Sequence, residues 1–320
     1  MPAVMRHPVL NRNKMDEKMK VLITGSASMI GAALYNRLIA LGHNVIAVVR
    51  PGSRKNERLS GGQNSTIIEC EMKDYAQLPD MINTGIDIVF AAAWSGTRGS
   101  DRNNKELQKL NYTYNSDLLQ AAVQIGCKKF ITAGSQAEYG NTHGIEEISE
   151  ETEPNPDSEY GINKLRFYEY AKDFCKGTEC TLLEPRFFSI YGPNDYPGSL
   201  VSSMLRKMMN NEPCELTACT QLWDFLYIDD AAEGLLSLVQ SDTAQGIYNF
   251  GYGKSEPLKN YVEAMHRITG SSSELKYGAI PYPPAGCLNL NPNVEKLKST
   301  GWSPKVSFSK GIERIIRQEG

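Results

Sequence analysis

The amino-acid sequence predicts an α/β fold: a doubly wound parallel sheet with a smaller C-terminal lobe. Three observations lead there. Short apolar runs that read as strands alternate with helical spacings through the first 175 residues. The first run, Lys20-Val21-Leu22-Ile23-Thr24, meets Gly25 at once, and Gly31 opens a helical stretch. The strands are nearly continuous apolar runs, as expected of parallel strands covered on both faces.

Taken in order, residues 32–41 have helical spacing and stop at Gly42-His43. Residues 45–49 form a second strand, Ile67-Ile68 with its flanks a third, and residues 86–93 a fourth. A helix over 107–125 leads to a fifth strand at 129–133. Beyond residue 170 the pattern loosens into a strand at 180–184, helices at 200–209 and 231–239, and a strand at 247–250. Segments rich in Pro and Gly, 193–198 and 281–286, break up the remainder. The expected organisation is a disordered extension over 1–18, a mainly dinucleotide-binding unit over 19–175, and the last sheet strands interleaved with a substrate-binding lobe over 176–320.

Composition excludes several classes of function. Of 320 residues, 41% are hydrophobic and 22% charged, an ordinary balance for a soluble globular chain. A formal net charge of −3 argues against nucleic-acid binding and a polybasic membrane surface. No apolar run approaches the roughly 18 residues of a membrane span. None of the 7 cysteines forms a Cys-x-x-Cys pair or has a His partner at zinc spacing, so free thiols in a reducing cytoplasm and no metal are expected.

The turn Thr24-Gly25-Ser26-Ala27-Ser28-Met29-Ile30-Gly31 is a Rossmann-type signal for a dinucleotide. Its first glycine makes a tight turn, its last lets helix and sheet pack closely, and the pyrophosphate sits at the helix N-terminus. The middle position holds Ser28, whose Cβ would push a phosphate away or whose hydroxyl would bond to it. The expected cofactor contacts are Gly25, Ser28, Met29, Ile30 and Gly31, with Ala92 and Ala93 at the end of the fourth strand. After the second strand, where an NAD site carries an acid, the chain has Arg50, then Ser53, Arg54 and Lys55. Cations there suit a 2′-phosphate, so Arg50 and Arg54 point to NADP(H) over NAD.

Tyr160 and Lys164 are one helical turn apart on the same face. An ammonium near a phenol favours the phenolate, which would make Tyr160 a proton donor and acceptor near neutral pH.

Together these motifs resemble the extended short-chain dehydrogenase/reductases of the NAD-dependent epimerase/dehydratase family, in the branch that works on nucleotide sugars. The resemblance runs from about Lys20 to Gln318. It rests on the glycine turn, Asn111, Gly134-Ser135-Gln136-Ala137-Glu138-Tyr139-Gly140, Tyr160-Gly161-Ile162-Asn163-Lys164, Pro185-Arg186-Phe187-Phe188-Ser189-Ile190-Tyr191-Gly192-Pro193, Asp224-Phe225-Leu226-Tyr227-Ile228-Asp229-Asp230 and Gly301-Trp302-Ser303-Pro304. It implies that Tyr160 passes a proton to or from a sugar oxygen, that Lys164 holds the nicotinamide ribose, and that Ser135 stabilises charge on the same oxygen. It implies too a homodimer formed through the Tyr160 helix, and a structural bridge between helix and sheet at Asn111.

The family's 4,6-dehydratases carry an acid pair after the serine, where this chain has Gln136 and Ala137, so dehydration is not expected. Redox at one carbinol carbon remains. The resemblance is to ketoreductases of deoxysugar pathways, which reduce NDP-4-keto-6-deoxyhexoses with NADPH. A 4-epimerase is the alternative, as is a non-catalytic NADP(H)-binding regulator. Substrate contacts are expected from Trp94, Ser95, Gln136, Ser189, Trp223 and Tyr282, with Thr97 and Arg98 on the same loop as Ser95. The chain departs from the family where two diphosphate-gripping arginines are Trp223 and Pro283, and where an Asn is Ser189. Arg186, Arg206 and Lys207 are then candidates for the phosphates, and a small ketone or aldehyde is an alternative substrate.

Overall fold

The computed structural model describes residues 18–142, 144–282 and 289–319. The expected N-terminal extension, Pro283 and Cys287 lie outside these residues, apart from Lys18.

Five strands alternate with helices: β1 Lys20–Thr24, α1 Met29–Ala40, β2 Asn44–Val49, β3 Ser65–Glu69, the single turn α2 Leu78–Met81, β4 Ile88–Ala91, α3 Lys105–Gln124 and β5 Lys129–Thr132. Then come β6 Gly134–Ser135, α4 Glu159–Cys175, β7 Thr181–Phe187, β8 Ser189–Tyr191, α5 Leu200–Met209, β9 Cys214–Glu215, β10 Leu222–Trp223, β11 Phe225–Tyr227, α6 Ile228–Gln240 and β12 Gly246–Phe250. The chain ends with β13 Glu256–Pro257, α7 Leu258–Thr269, β14 Leu275–Lys276, α8 Glu295–Lys298 and α9 Phe308–Glu319.

The main sheet runs β12-β7-β5-β4-β1-β2-β3, with β6 also paired to β7. Its pairs are parallel, so all strands end on the same side. Strand order reverses between β1 and β4, which opens a crevice at the strands' carboxyl ends. One face is covered by α1 and α6 through Leu34, Leu38, Leu235 and Val239, and the other by α3 and α4 through Leu118, Leu119, Phe167 and Ala171. A third core joins α5, α7 and α9 to β8 and β11, and forms the lobe beside the crevice.

The sequence reading differs from this in instructive places. β3 is the outer strand, and Ile67 is 51% exposed, so covering on both faces fails there. α1 starts three residues earlier than expected, because the Ser28 hydroxyl accepts from the Gly31 N–H at 3.0 Å and caps the helix. β7 extends to Phe187, since β12 and β6 both pair along it. The helices α7 and α9 lie outside the expected elements, although Leu258, Tyr261, Val262 and Met265 bury one face of α7 at helical spacing.

Asp230 ties α6 to the late Gly301-Trp302-Ser303-Pro304 segment. Its buried carboxylate accepts from the N–H groups of Lys305 at 2.9 Å and Val306 at 2.8 Å, and its carbonyl accepts from the Trp302 indole at 2.9 Å. Removing a charged acceptor strands two donors, so Asp230→Ala is expected to cost about 2–4 kcal/mol, measured by urea unfolding.

Candidate active site

The crevice between β1 and β4 is floored by the glycine turn. Gly25 adopts φ +63°, and a Cβ on it would lie 2.8 Å from the Ala93 nitrogen and 2.9 Å from the Ala93 Cα. Gly31 packs so closely on the Gly25 carbonyl that no side chain fits. The small residues Ala92 and Ala93 thus stand against the turn, with the N-terminal turn of α1 alongside. The turn, the first-turn N–H groups of α1 and the bare Gly25 backbone fit a pyrophosphate. Ser28 spends its hydroxyl on the helix cap, and Met29 and Ile30 turn partly into the core of the lobe. Arg50 is exposed just past β2, and Arg54 begins a short 3₁₀ turn, Arg54–Arg58. Arg58 is an addition to the expected set; its guanidinium donates to the Ala27 carbonyl at 3.2 Å, which holds it against the turn.

Tyr160, Lys164 and Ser135 come together at the carboxyl edge of β5 and β6. Ser158 caps α4 by accepting from the Gly161 N–H at 3.2 Å, which places Tyr160 in the first turn. Gly161 lies against the Ala137 carbonyl too closely for any Cβ, so α4 is seated directly on the serine turn. The Ser135 hydroxyl accepts from the Ala137 N–H at 3.2 Å and lies near enough to the Tyr160 phenol to draw its titration down. Lys164 donates to the Ala133 carbonyl at 2.5 Å, and its ammonium stands 4.0 Å from the centroid of the Trp94 ring and 5.7 Å from that of Tyr160.

The titration of this group departs from the sequence reading. Burial pushes the Tyr160 phenol up to about 12 against the pull of Ser135, Arg102 and Arg98. Lys164 does not make the phenol acidic here; burial lowers Lys164 itself to about 8, opposed by Glu138 and Glu184. Arg102 is a second residue that sequence reading missed. Its guanidinium lies 4.6 Å from the centroid of the Tyr160 ring.

The expected substrate residues fall in two groups. Trp94 packs edge-on to Tyr160 at 6.3 Å, and its indole N–H is taken by Gln108 at 2.8 Å. Ser95 is exposed, and Asn111 grips its N–H and carbonyl, each at 2.9 Å, so Asn111 holds this loop to α3. Arg98 pairs with Asp195 at 3.1 Å and links the loop to residues of the lobe. Gln136 follows Ser135 directly and is half-buried. Ser189 and Trp223 sit on β8 and β10, with Trp223 packed over Phe225 at 6.3 Å. The Tyr282 hydroxyl donates to Gln221 at 2.8 Å and accepts from the Thr220 N–H at 3.1 Å, which attaches it just before Trp223. Arg186 is not available to a phosphate. It is fully buried between Glu138 and Glu184, whereas Arg206 is exposed and Lys207 half-buried on α5.

Among the described residues no group of His, Cys, Asp and Glu is arranged to hold a metal, and no helix is long and apolar enough to cross a membrane.

A sheet wound both ways, a glycine turn at the strand-order reversal and a Ser–Tyr–Lys cluster beside it define a dinucleotide-binding fold of the Rossmann type. The model of the NAD dependent epimerase/dehydratase family matches residues 21–251, and the chain belongs to that family. It is 26% identical over 309 residues to a CDP-abequose synthase of Salmonella muenchen, spanning 94% of this chain and 98% of that one. It is 28% identical over 326 residues to a UDP-N-acetyl-alpha-D-glucosaminuronate decarboxylase of Bacillus cytotoxicus, spanning 94% and 97%. Among solved structures, MoeE5 in complex with UDP-glucuronic acid and NAD is 26% identical, with a TM-score of 0.81 over 94% of this chain and 100% of that one.

Lys164 yields a stability test. Its ordinary value of 10.5 falls to about 8 on folding, so between these the unfolded chain binds more protons and stability rises with pH. Below pH 8 its buried charge costs about 3 kcal/mol. Lys164→Met is expected to stabilise the cofactor-free protein by about 2 kcal/mol at pH 7, after loss of the Ala133 hydrogen bond. Urea unfolding at pH 7 and pH 10 should show that gain shrinking as pH rises.

Proposed function

We propose that this protein is an NADPH-dependent reductase of a nucleotide-linked 4-keto-6-deoxy sugar. The observation that carries the reading is the gathering of Ser135, Tyr160 and Lys164 at the edge of a crevice fitted to a dinucleotide. Its reaction-class limits come from Gln136 and Ala137, neither of which can supply the acid that expulsion of water needs.

The cofactor supplies a hydride, and the chain's own residues do the rest. Gly25, Gly31 and the first turn of α1 hold the pyrophosphate, Ala92 and Ala93 leave room beside it, and Lys164 reaches the ribose. Arg50 and Arg54 would hold a 2′-phosphate past β2, which favours NADP over NAD. As the carbonyl carbon is reduced, its oxygen takes the Tyr160 proton while the Ser135 hydroxyl bonds to it. A phenol kept protonated by burial suits a donor. Trp94, Ser95 and Gln136 line the sugar side, and Ser189, Trp223 and Tyr282 the nucleotide side.

The sugar-nucleotide substrate class draws support from the relatives, one named for a CDP-linked and one for a UDP-linked sugar. The second reading, a 4-epimerase with NAD, is favoured by one observation: NAD is the dinucleotide held in the 26% identical structure.

On mixing with an NDP-4-keto-6-deoxyhexose, NADPH absorbance is expected to fall in proportion to sugar consumed, and Tyr160→Phe should lower kcat by about 10²–10⁴-fold. Arg50→Ala with Arg54→Ala is expected to raise the KM for NADPH about tenfold or more while leaving that for NADH within twofold, since a charge-assisted arginine–phosphate hydrogen bond is worth about 1–3 kcal/mol. Interconversion of 4-epimers with bound NAD and no net oxidation of NADPH would decide for the epimerase.

A further inference from the structure

Behind Ser135 lies a buried ionic cluster that neither the fold nor the reaction class requires. Glu138, Glu184 and Arg186 are 0%, 1% and 0% exposed, and Lys164 is 5% exposed. One Glu138 oxygen accepts the Ser135 N–H at 2.7 Å, closing a capping box around the turn that carries the serine. The other lies 3.3 Å from an Arg186 nitrogen, and Arg186 Nε donates to Glu184 at 2.9 Å. Gly134 makes room for all three: a Cβ on it would meet the Glu184 Cγ at 2.6 Å, and Arg186 Cγ and Glu138 Oε1 at 3.1 Å. The Arg186 guanidinium lies 4.5 Å from the centroid of the Tyr139 ring, whose hydroxyl donates to Asn249 at 2.7 Å, so the cluster is braced against β12.

Ionic groups with no access to water are costly, and a hydrophobic trio of the same volume would build as stable a core. This one touches the serine turn on one side and faces Lys164 on the other. We propose that Glu138 is a positioning residue for the reaction centre: tethered by Arg186, its carboxylate fixes the Ser135 backbone and supplies the negative charge that faces the Lys164 ammonium. This inference rests on Ser135, Tyr160 and Lys164 being the reaction centre.

The charged and titratable groups around Lys164 are Tyr160 on its own helix, Glu138 on the serine turn, and Glu184 and Arg186 on β7. Both carboxyls hold the lysine's proton on. Glu184 is itself pushed well above the usual carboxylate range, by burial first and by Glu138 next, and its oxygen is taken by Arg186 Nε at 2.9 Å. Of the two carboxyls only Glu138 bonds the serine turn, whereas Glu184 bonds Arg186, so the two glutamates have unequal roles.

The test compares Glu138→Gln with Glu184→Gln. Glu138→Gln keeps an oxygen for the Ser135 N–H but removes the charge. It is expected to lower kcat at pH 7 at least tenfold, with the ketosugar KM within twofold, and to move the basic limb of the kcat profile to lower pH. In cofactor-free protein labelled with ¹³C at lysine Cε, the Lys164 resonance, assigned by its absence in Lys164→Met, should titrate at lower pH by the same amount. Glu184→Gln leaves the Glu138 bond to the Ser135 N–H in place and should lower kcat less than Glu138→Gln does. If Glu138→Gln is too unstable to purify, the double variant with Arg186→Met removes the stranded cation and is read in the same way. An unmoved limb and an unmoved Lys164 titration in Glu138→Gln would overturn the proposal, as would a Glu184→Gln loss equal to it. Wild-type protein that turns over no ketosugar would overturn the reading of the function instead, and the Lys164 titration would still decide the role of Glu138.

Discussion

The site depends on how closely one helix meets one turn. At Gly161 the backbone of α4 rests on the Ala137 carbonyl with no room for a side chain. That contact sets the height of α4 over the end of β5 and β6. Ser135 then faces Tyr160, and one helical turn later Lys164 meets the Ala133 carbonyl. A single methyl group at Gly161 would lift the helix and carry Tyr160 and Lys164 together away from Ser135. The matching contact at Gly31 fixes α1 over β1 on the dinucleotide side. Two glycines, one on each side of the crevice, thus set the geometry on which positioning relies.

The same closeness excludes water, and the electrostatics follow. Burial holds the proton on the Tyr160 phenol and destabilises the charge on Lys164, so the lone dyad works against both the phenolate and the ammonium. Opposing groups come from outside the dyad. Arg102 and Arg98 act on the phenol, and Glu138 and Glu184 act on the lysine. The reactive pair is balanced by four side chains from three other parts of the chain.

Much of the frame was legible in sequence because its signals are local. A strand ending at Gly25, a helix opening at Gly31, and a tyrosine and lysine one turn apart are each contained within a few residues. The five strands of the first half were readable for the same reason. What could not be read arises from pairing at long range. Glu138 meets Arg186 only because β6 runs beside β7 with Gly134 opposite Arg186 and Ser135 opposite Phe187. The pinning of Trp94 by Gln108 needs the return of α3, and the direction of the Tyr160 titration needs the finished burial. The helix α7 is different: its apolar residues recur at helical spacing in plain sequence, and the signal was there to be used.

The order of strands has a consequence for synthesis. β5 lies between β4 and β7, and β7 lies between β5 and β12, so the sheet that begins at Lys20 is finished only by Phe250. A nascent chain that has emerged through α4 carries β5 with one edge unpaired, a surface on which other chains can add. Domain-by-domain folding on the ribosome is therefore closed to this topology. The carboxyl-terminal half shields the amino-terminal half from aggregation before it has any ligand to bind, and a gene cut near the end of α4 should yield inclusion bodies rather than a free nucleotide-binding module.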